Sequence, residues 1–294
     1  MNATHRDTIF VEEAHILEQT VFPGPQFVTR LEAPEIAKAA KPGTFAHLTC
    51  DPALPMRRPL SIMRAAPTEG WIEFLYKLAG EGLRFLGGSH RGDAINVLGP
   101  IGKPFVVHPD RPRVLMLGGG VGIPPMVFLA ESLQYDRRTD WNPVVFMGSE
   151  LPFPFEVATA QLALAGMPPE ASSTMPLMEE LGVPCRLASE AGYEGAGKGF
   201  VTDLARAWLK TLDASELSKV EMFSCGPTRM LKAAAKLARE FDVPCQAALE
   251  EFMACAVGGC AGCTVLVDTP DGPAMKRVCV DGPVFDASTV HYLQ

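Results

Sequence analysis

Residues 113–134 read RVLMLGGGVGIPPMVFLAESLQ. An apolar run, Val114 to Leu117, passes into glycines at 118, 119, 120 and 122. Beyond them Met126, Leu129, Ala130 and Leu133 fall on one helical face. Pro124 and Pro125 suit a first helical turn, where a missing N–H breaks no bond. The stretch predicts a strand, a glycine loop and a helix, the context in which bare backbone N–H groups meet a phosphate. GGGVGIPP departs from the usual G-x-G-x-x-G form, so an unliganded strand-to-helix turn is the plain alternative.

Working outward, NPVVFMGSE (142–150), VPCRLASE (183–190) and KVEMFSCGP (219–227) supply further apolar strands, and TRMLKAAAKLAREF (228–241) another amphipathic helix. Strands alternating with helices predict an α/β parallel-sheet nucleotide-binding domain over 111–245. Residues 1–110 read differently. TFAHLTC (44–50), WIEFLYKLAG (71–80) and DAINVLGPIG (93–102) are short strands closed by turns, which predicts an N-terminal antiparallel β-barrel. Residues 246–294 form a tail too small to fold without a staple. No internal repeat is present. For 294 residues the prior is about two domains, or three where one is small.

The tail contains CAVGGCAGC at 255–263, and a fourth cysteine follows in MKRVCVDGPVF. The spacing is Cys255-x4-Cys260-x2-Cys263, with Cys279 farther on, which is the plant-type ferredoxin pattern for a [2Fe–2S] cluster. Three thiolates from one short segment must converge on a small inorganic core. Gly258, Gly259 and Gly262 let the backbone bend and approach it. A four-cysteine structural zinc is the main alternative, although zinc usually recruits paired C-x2-C knuckles.

Composition narrows the rest. The first twenty residues hold no apolar export segment, so metal ligands or free thiols are expected of the cysteines rather than disulfides. No run of about 18 uncharged apolar residues occurs, so no membrane span is expected. The expected location is cytoplasmic. A net charge of −8 argues against nucleic-acid binding, which favours basic patches.

Two weaker motifs remain. In FSCGP (223–227), Cys225 and Gly226 close a strand, where α/β sheets bind ligands, so Cys225 is a candidate for a nicotinamide pocket. A buried small hydrophobe is equally compatible. In RRPLSI (57–62), Arg58 is suited to clamp a pyrophosphate and Ser61 to offer a hydroxyl to a ring nitrogen. A surface turn is the plain reading of that motif alone.

The order RPLSI, GEGL, GGGVGIPP, SCGP, C-x4-C-x2-C…C resembles the ferredoxin–NAD(P) reductase superfamily. Within it the chain is most similar to the electron-transfer subunits of NAD-dependent (class 1B) dihydroorotate dehydrogenase. The resemblance spans about 10–290 and is most specific in KGFVTDL (198–204), VPCQAALEEFMACAVGGCAGC (243–263) and KRVCVDGPVFDASTV (276–290). It implies an FAD site of Arg58, Pro59, Leu60, Ser61, Leu75, Tyr76, Lys77, Gly82 and Leu83. It implies an NAD site of Gly118, Gly119, Gly120, Gly122, Cys225 and Gly226, and cluster ligands Cys255, Cys260, Cys263 and Cys279. Two departures stand out. The family commonly has Gly-Thr at Gly82-Leu83, and relatives often have Gly at Ala256.

The implied function is an electron relay in pyrimidine biosynthesis. An FMN-containing dihydroorotate dehydrogenase catalytic subunit would be the partner, two of each chain forming a heterotetramer. Electrons would cross the [2Fe–2S] centre to FAD and leave as hydride to NAD+. No catalytic acid or base is expected here, and neither a dihydroorotate pocket nor an FMN barrel is legible. Glu150, with no arginine beside it, inclines the nucleotide site to NAD over NADP. Two alternatives stand beside this. One is the flavin-bearing small subunit of a ferredoxin-dependent transhydrogenase, hydrogenase or sulfide dehydrogenase; the transhydrogenase subunit is expected to carry Asp for one cluster cysteine. The other is a zinc-stabilised binding protein without flavin.

Overall fold

The computed structural model describes residues 8–51, 53–54, 56–136 and 140–294, so the first seven residues of the expected barrel domain lie outside the described residues. Six strands, β1 (Phe10–Phe22), β2 (Gln26–Glu32), β3 (Phe45–Thr49), β4 (Arg58–Ala66), β5 (Trp71–Lys77) and β6 (Ala94–Ile101), close into a barrel in the order β1-β2-β5-β4-β3-β6. Every neighbouring pair is antiparallel. Helix α1 (Pro34–Ala39) buries Ile36 and Ala37 in the barrel core, and α2 (Gly80–Gly87) follows β5. Along β3, Ala46 and Leu48 point into that core. Phe45 and His47, on the opposite face, are buried as well, because another part of the chain covers the barrel there.

The second unit runs β7 (Arg113–Gly119), α3 (Ile123–Tyr135), β8 (Asn142–Gly148), the short ladder β9 (Ala158–Thr159) with β10 (Ser173–Thr174), α4 (Pro176–Glu180) and β11 (Cys185–Ser189). It continues through β12 (Gly197–Lys198), α5 (Val201–Leu209), α6 (Ala214–Leu217), β13 (Val220–Cys225), α7 (Thr228–Phe241) and β14 (Cys245–Ala248). With a last strand β17 (Val284–Asp286) from the tail, the sheet order is β12-β11-β8-β7-β13-β14-β17, parallel except at its last pair. The first strand, β7, has β8 on one side and β13 on the other, so the winding reverses between β7 and β13. A crevice opens at the carboxyl ends of strands at such a point.

Helix α3 is less amphipathic than its spacing suggests. Every residue from Ile123 to Glu131 is buried, because the barrel's β4 covers the face turned away from the sheet. Across that contact Arg64 Nη2 lies 2.7 Å from Glu131 Oε1, an ion pair with little exposure on either side.

The tail forms a hairpin, β15 (Thr264–Thr269) with β16 (Gly272–Arg277), then α8 (Val278–Asp281) and β17 (Val284–Asp286). β17 returns to pair antiparallel with β14, so a division at 245/246 would run through a strand of the main sheet. Val265, Val278, Phe285 and Leu293 share one core with Val220, Met222 and the barrel's Phe45. A segment this short has too few apolar residues for a core of its own, and it borrows its neighbours'. Among the described residues no helix is long and apolar enough to cross a membrane.

Candidate functional site

At the switch point the ends of β7 and β13 run side by side, with Gly118 paired to Cys225. Gly122 presses so close that a Cβ there would lie 2.3 Å from the Cys225 carbonyl oxygen and 2.5 Å from the Gly226 nitrogen. Only glycine allows that approach. Gly120 adopts φ +54° with no atom within 4 Å of an added Cβ, so its backbone faces open space. The fold therefore gathers Gly118, Gly119, Gly120, Gly122, Cys225 and Gly226 at one crevice. Cys225 is 1% exposed. Burial, and secondly the negative charge of Glu250, hold its thiol well above its ordinary range, so it stays protonated.

Facing the crevice are the ends of β4 and β5. The Arg58 guanidinium lies over Gly82 at the start of α2, where an added Cβ would stand 3.1 Å from Nε. Arg58 Nη1 donates to the carbonyls of Met56 (2.5 Å) and Arg57 (3.3 Å), which fixes the fork. Pro59 and Ser61 are half-buried on the outer face of β4, while Leu60 is buried in the barrel core. Leu75 is buried between barrel and sheet. Tyr76 turns the other way. Its ring stacks on Phe27 at 5.4 Å inside the barrel and its hydroxyl donates to Gln19 Oε1 at 2.9 Å, so only its backbone serves the outer face. Lys77 is exposed. Leu83, in place of a hydroxyl residue, packs against the barrel core.

Glu250 is a site residue that motif reading passed over. It follows β14, whose Ala248 pairs with Cys225, and it keeps solvent contact. Desolvation by its neighbours raises its carboxyl pKa and the Lys77 charge opposes the rise, while the side chain itself stands exposed at the edge of the sheet that faces Lys77 of the barrel. The signal was available: an acidic pair one residue beyond a strand, at the ligand-binding edge of the sheet. A cavity of about 310 Å³ beside this cleft is lined by Met63 and Leu75 of the barrel and Ile123 at the start of α3.

The four tail cysteines stand as two pairs. The backbone N–H of Cys260 donates to Cys255 Sγ at 3.4 Å, and the free thiols of Cys263 and Cys279 lie side by side. Burial alone would raise Cys255, but N–H donors from Cys260, Val257 and Gly259 and the Cys260 thiol bring it down to about 7. Cys279 is pushed up to about 12 by burial and by Cys263. Gly258, at φ +82°, leaves room for Val280, whose Cγ2 would meet an added Cβ at 2.6 Å, and its carbonyl accepts from Arg277 Nη1 at 3.0 Å. Those contacts bind the loop to the segment carrying Cys279. Ala256 stands at φ +55°, a left-handed angle that a glycine would take at less cost. Among the described residues no three His, Cys, Asp or Glu side chains are gathered as for a single ion. Two thiol pairs with amide donors on sulfur are the donor set of a two-iron cluster, with two thiolates for each iron.

Residues 250–291 match the family model described as the iron-sulfur cluster binding domain of dihydroorotate dehydrogenase B. The chain is 32% identical, over 86% of its length and 88% of the relative's, to the dihydroorotate dehydrogenase B (NAD(+)) electron transfer subunit of Caldanaerobacter subterraneus subsp. tengcongensis. The subunit of the same description from Desulforamulus reducens is 29% identical, covering 94% of this chain and 96% of that one. Among solved structures, an NADH-dependent reduced ferredoxin-NADP oxidoreductase superposes with a TM-score of 0.76 at 25% identity, over 95% of this chain and 90% of the other.

Proposed function

The chain belongs to the family of electron transfer subunits of dihydroorotate dehydrogenase B, and on that premise we propose that it relays electrons between a partner subunit and NAD+. The partner would be an FMN-containing catalytic subunit in which dihydroorotate is oxidised, two of each chain assembling in the cytoplasm for pyrimidine biosynthesis. The observation that carries this reading is the placement of three sites on one chain: the thiol pairs of the tail, the outer face of β4 and β5, and the crevice between β7 and β13.

In this reading Arg58, steadied by the Met56 and Arg57 carbonyls and lying over Gly82, clamps the pyrophosphate of FAD. Ser61 offers its hydroxyl to the flavin ring. Leu75 packs beside it, while Tyr76 and Lys77 contribute backbone. The bare N–H groups around Gly120 take the nucleotide phosphates of NAD, and the protonated, buried thiol of Cys225 shapes the nicotinamide side without carrying charge. Cys255 with Cys260, and Cys263 with Cys279, hold the iron–sulfur cluster. When bound, FAD and the [2Fe–2S] cluster supply the exchange between two-electron hydride chemistry and one-electron transfer. The chain's own part is to orient and space these groups.

Co-expression with an FMN-barrel subunit, followed by cofactor analysis, tests the proposal. Dihydroorotate:NAD+ activity is expected from the complex only; robust activity from this chain alone would refute it. The 25%-identical ferredoxin-linked structure favours a second reading, in which the partner is a large flavin and [4Fe–4S] protein. Co-purification with that partner would establish it. A colourless, zinc-loaded chain would support neither.

A further inference from the structure

Directly opposed residues on antiparallel strands share a face, and Phe45 of β3 opposes Ser61 of β4 while His47 opposes Pro59. Ser61 and Pro59 belong to the proposed flavin surface. Phe45 joins the core that holds Met253, Cys263 and Cys279. The outer face of β3 is therefore a seam, with the flavin strand on one side and the cluster segment on the other. His47 sits in it, 0% exposed.

Its ring lies against the backbone carbonyls of Met253, two residues before Cys255, and of Arg57, yet neither ring nitrogen makes a hydrogen bond of ordinary geometry. Burial, and after it the charge of Arg57, lower its pKa to about 4, so the ring is neutral and carries a single N–H for two carbonyls. An under-satisfied buried imidazole costs stability that leucine would not. A residue kept at such a cost, at the join of two redox sites, invites a role in that join.

We propose that His47 is a positioning residue that sets how closely the cluster loop approaches the flavin-binding strand, an inference that rests on the relay function above. The imidazole wedges Met253 away from Pro59, with its ring turned toward the Met253 carbonyl without closing an ordinary hydrogen bond. Segment 253–255 and β4 then cannot shift relative to one another without moving the ring.

The test uses the full chain with its cofactors and two variants. His47→Leu keeps bulk without a donor, and His47→Gln keeps an amide N–H. NADH-driven bleaching of the cluster is followed by stopped flow, hydrogen exchange is read over 253–263, and the reduced cluster is examined by electron paramagnetic resonance. NADH–ferricyanide turnover, which needs flavin alone, is the control. His47→Leu is expected to slow cluster reduction by about tenfold or more, with faster exchange at 253–263 and a broadened cluster signal. His47→Gln should stay near wild type, and ferricyanide turnover should be unchanged in both. A wild-type rate and signal in His47→Leu would overturn the proposal, as would equal impairment of the two variants. If His47→Leu does not fold, His47→Met, also without a donor, replaces it under the same outcomes. A wild-type chain whose cluster NADH cannot reduce would instead refute the relay reading.

Discussion

Gly122→Ala is the sharpest test of the crevice. The added methyl would meet the Cys225 carbonyl oxygen at 2.3 Å, the Cys225 carbonyl carbon at 2.4 Å and the Gly226 nitrogen at 2.5 Å. All three are backbone atoms at the end of a central, fully buried strand, so no side chain can swing aside. Overpacking typically costs about 1–3 kcal/mol, and an immovable neighbour puts this site at the upper end, about 3 kcal/mol. Unfolding entropy per residue, scaled to a chain of this length, converts that to a fall in Tm of about 5 °C. The two strand ends must also part, so NADH-dependent ferricyanide reduction should fall while flavin stays bound. Gly120→Ala is the matched control. Its φ of +54° would cost alanine about 1–2 kcal/mol, offset by about 0.5–1 kcal/mol of lost chain entropy, and it meets no atom. Scanning calorimetry and NADH titration decide the matter. A Gly122→Ala protein as stable as wild type, or less destabilised than Gly120→Ala, would mean that the glycine loop does not rest on Cys225–Gly226.

Cys260→Ser should abolish electron exchange with the partner while FAD binding and NADH–ferricyanide turnover persist; partner-linked turnover at the wild-type rate would remove the cluster from the path. In the reduced, cluster-free chain, Cys255 should react with iodoacetamide along a curve rising through about pH 7, the pH at which its thiolate forms, while Cys279, near 12, stays unmodified; mass spectrometry of the peptides reads both. His47 has a folded pKa of about 4, below the unfolded 6.5, so the fold is unpenalised by its ionisation above pH 6.5 and loses stability as pH falls toward 4. The span corresponds to about 3 kcal/mol, and urea unfolding of His47→Gln should lack that acid slope. Ala256→Gly relieves φ +55° but removes a buried methyl worth about 0.8 kcal/mol and adds chain entropy, so its Tm should stay within about 2 °C of wild type; a large loss would show that the methyl outweighs the angle.

What the sequence made legible was local. The x4 and x2 cysteine spacing, the glycines after Leu117 and the prolines at 124 and 125 each specify geometry within a few residues. Neighbour-dependent facts were hidden. In β5 Ile72, Glu73, Phe74, Leu75 and Tyr76 are all buried, so the period of two that would say which side chains turn outward is erased, and with it the inward turn of Tyr76. Helix α3 conceals its barrel-facing side for the same reason: Val127 and Phe128 read as ordinary apolar residues until β4 is laid against them. The tail looked separable because β17 is only three residues long, too short to announce that it belongs to the main sheet.

The residues that were hardest to read lie between the sites. Gly122 joins the nucleotide loop to β13, Phe45 and His47 join the flavin strand to the cluster segment, and Glu250 with Lys77 joins sheet to barrel. Motifs encode what each site binds, because a phosphate, a flavin or an iron recognises groups on a short stretch of chain. Separation between sites is set by packing at the seams, and packing leaves no motif. For a relay whose output depends on how its redox groups are spaced, substitutions at those seams should alter transfer between sites while sparing the affinity of each. Substitutions within the motifs should do the reverse.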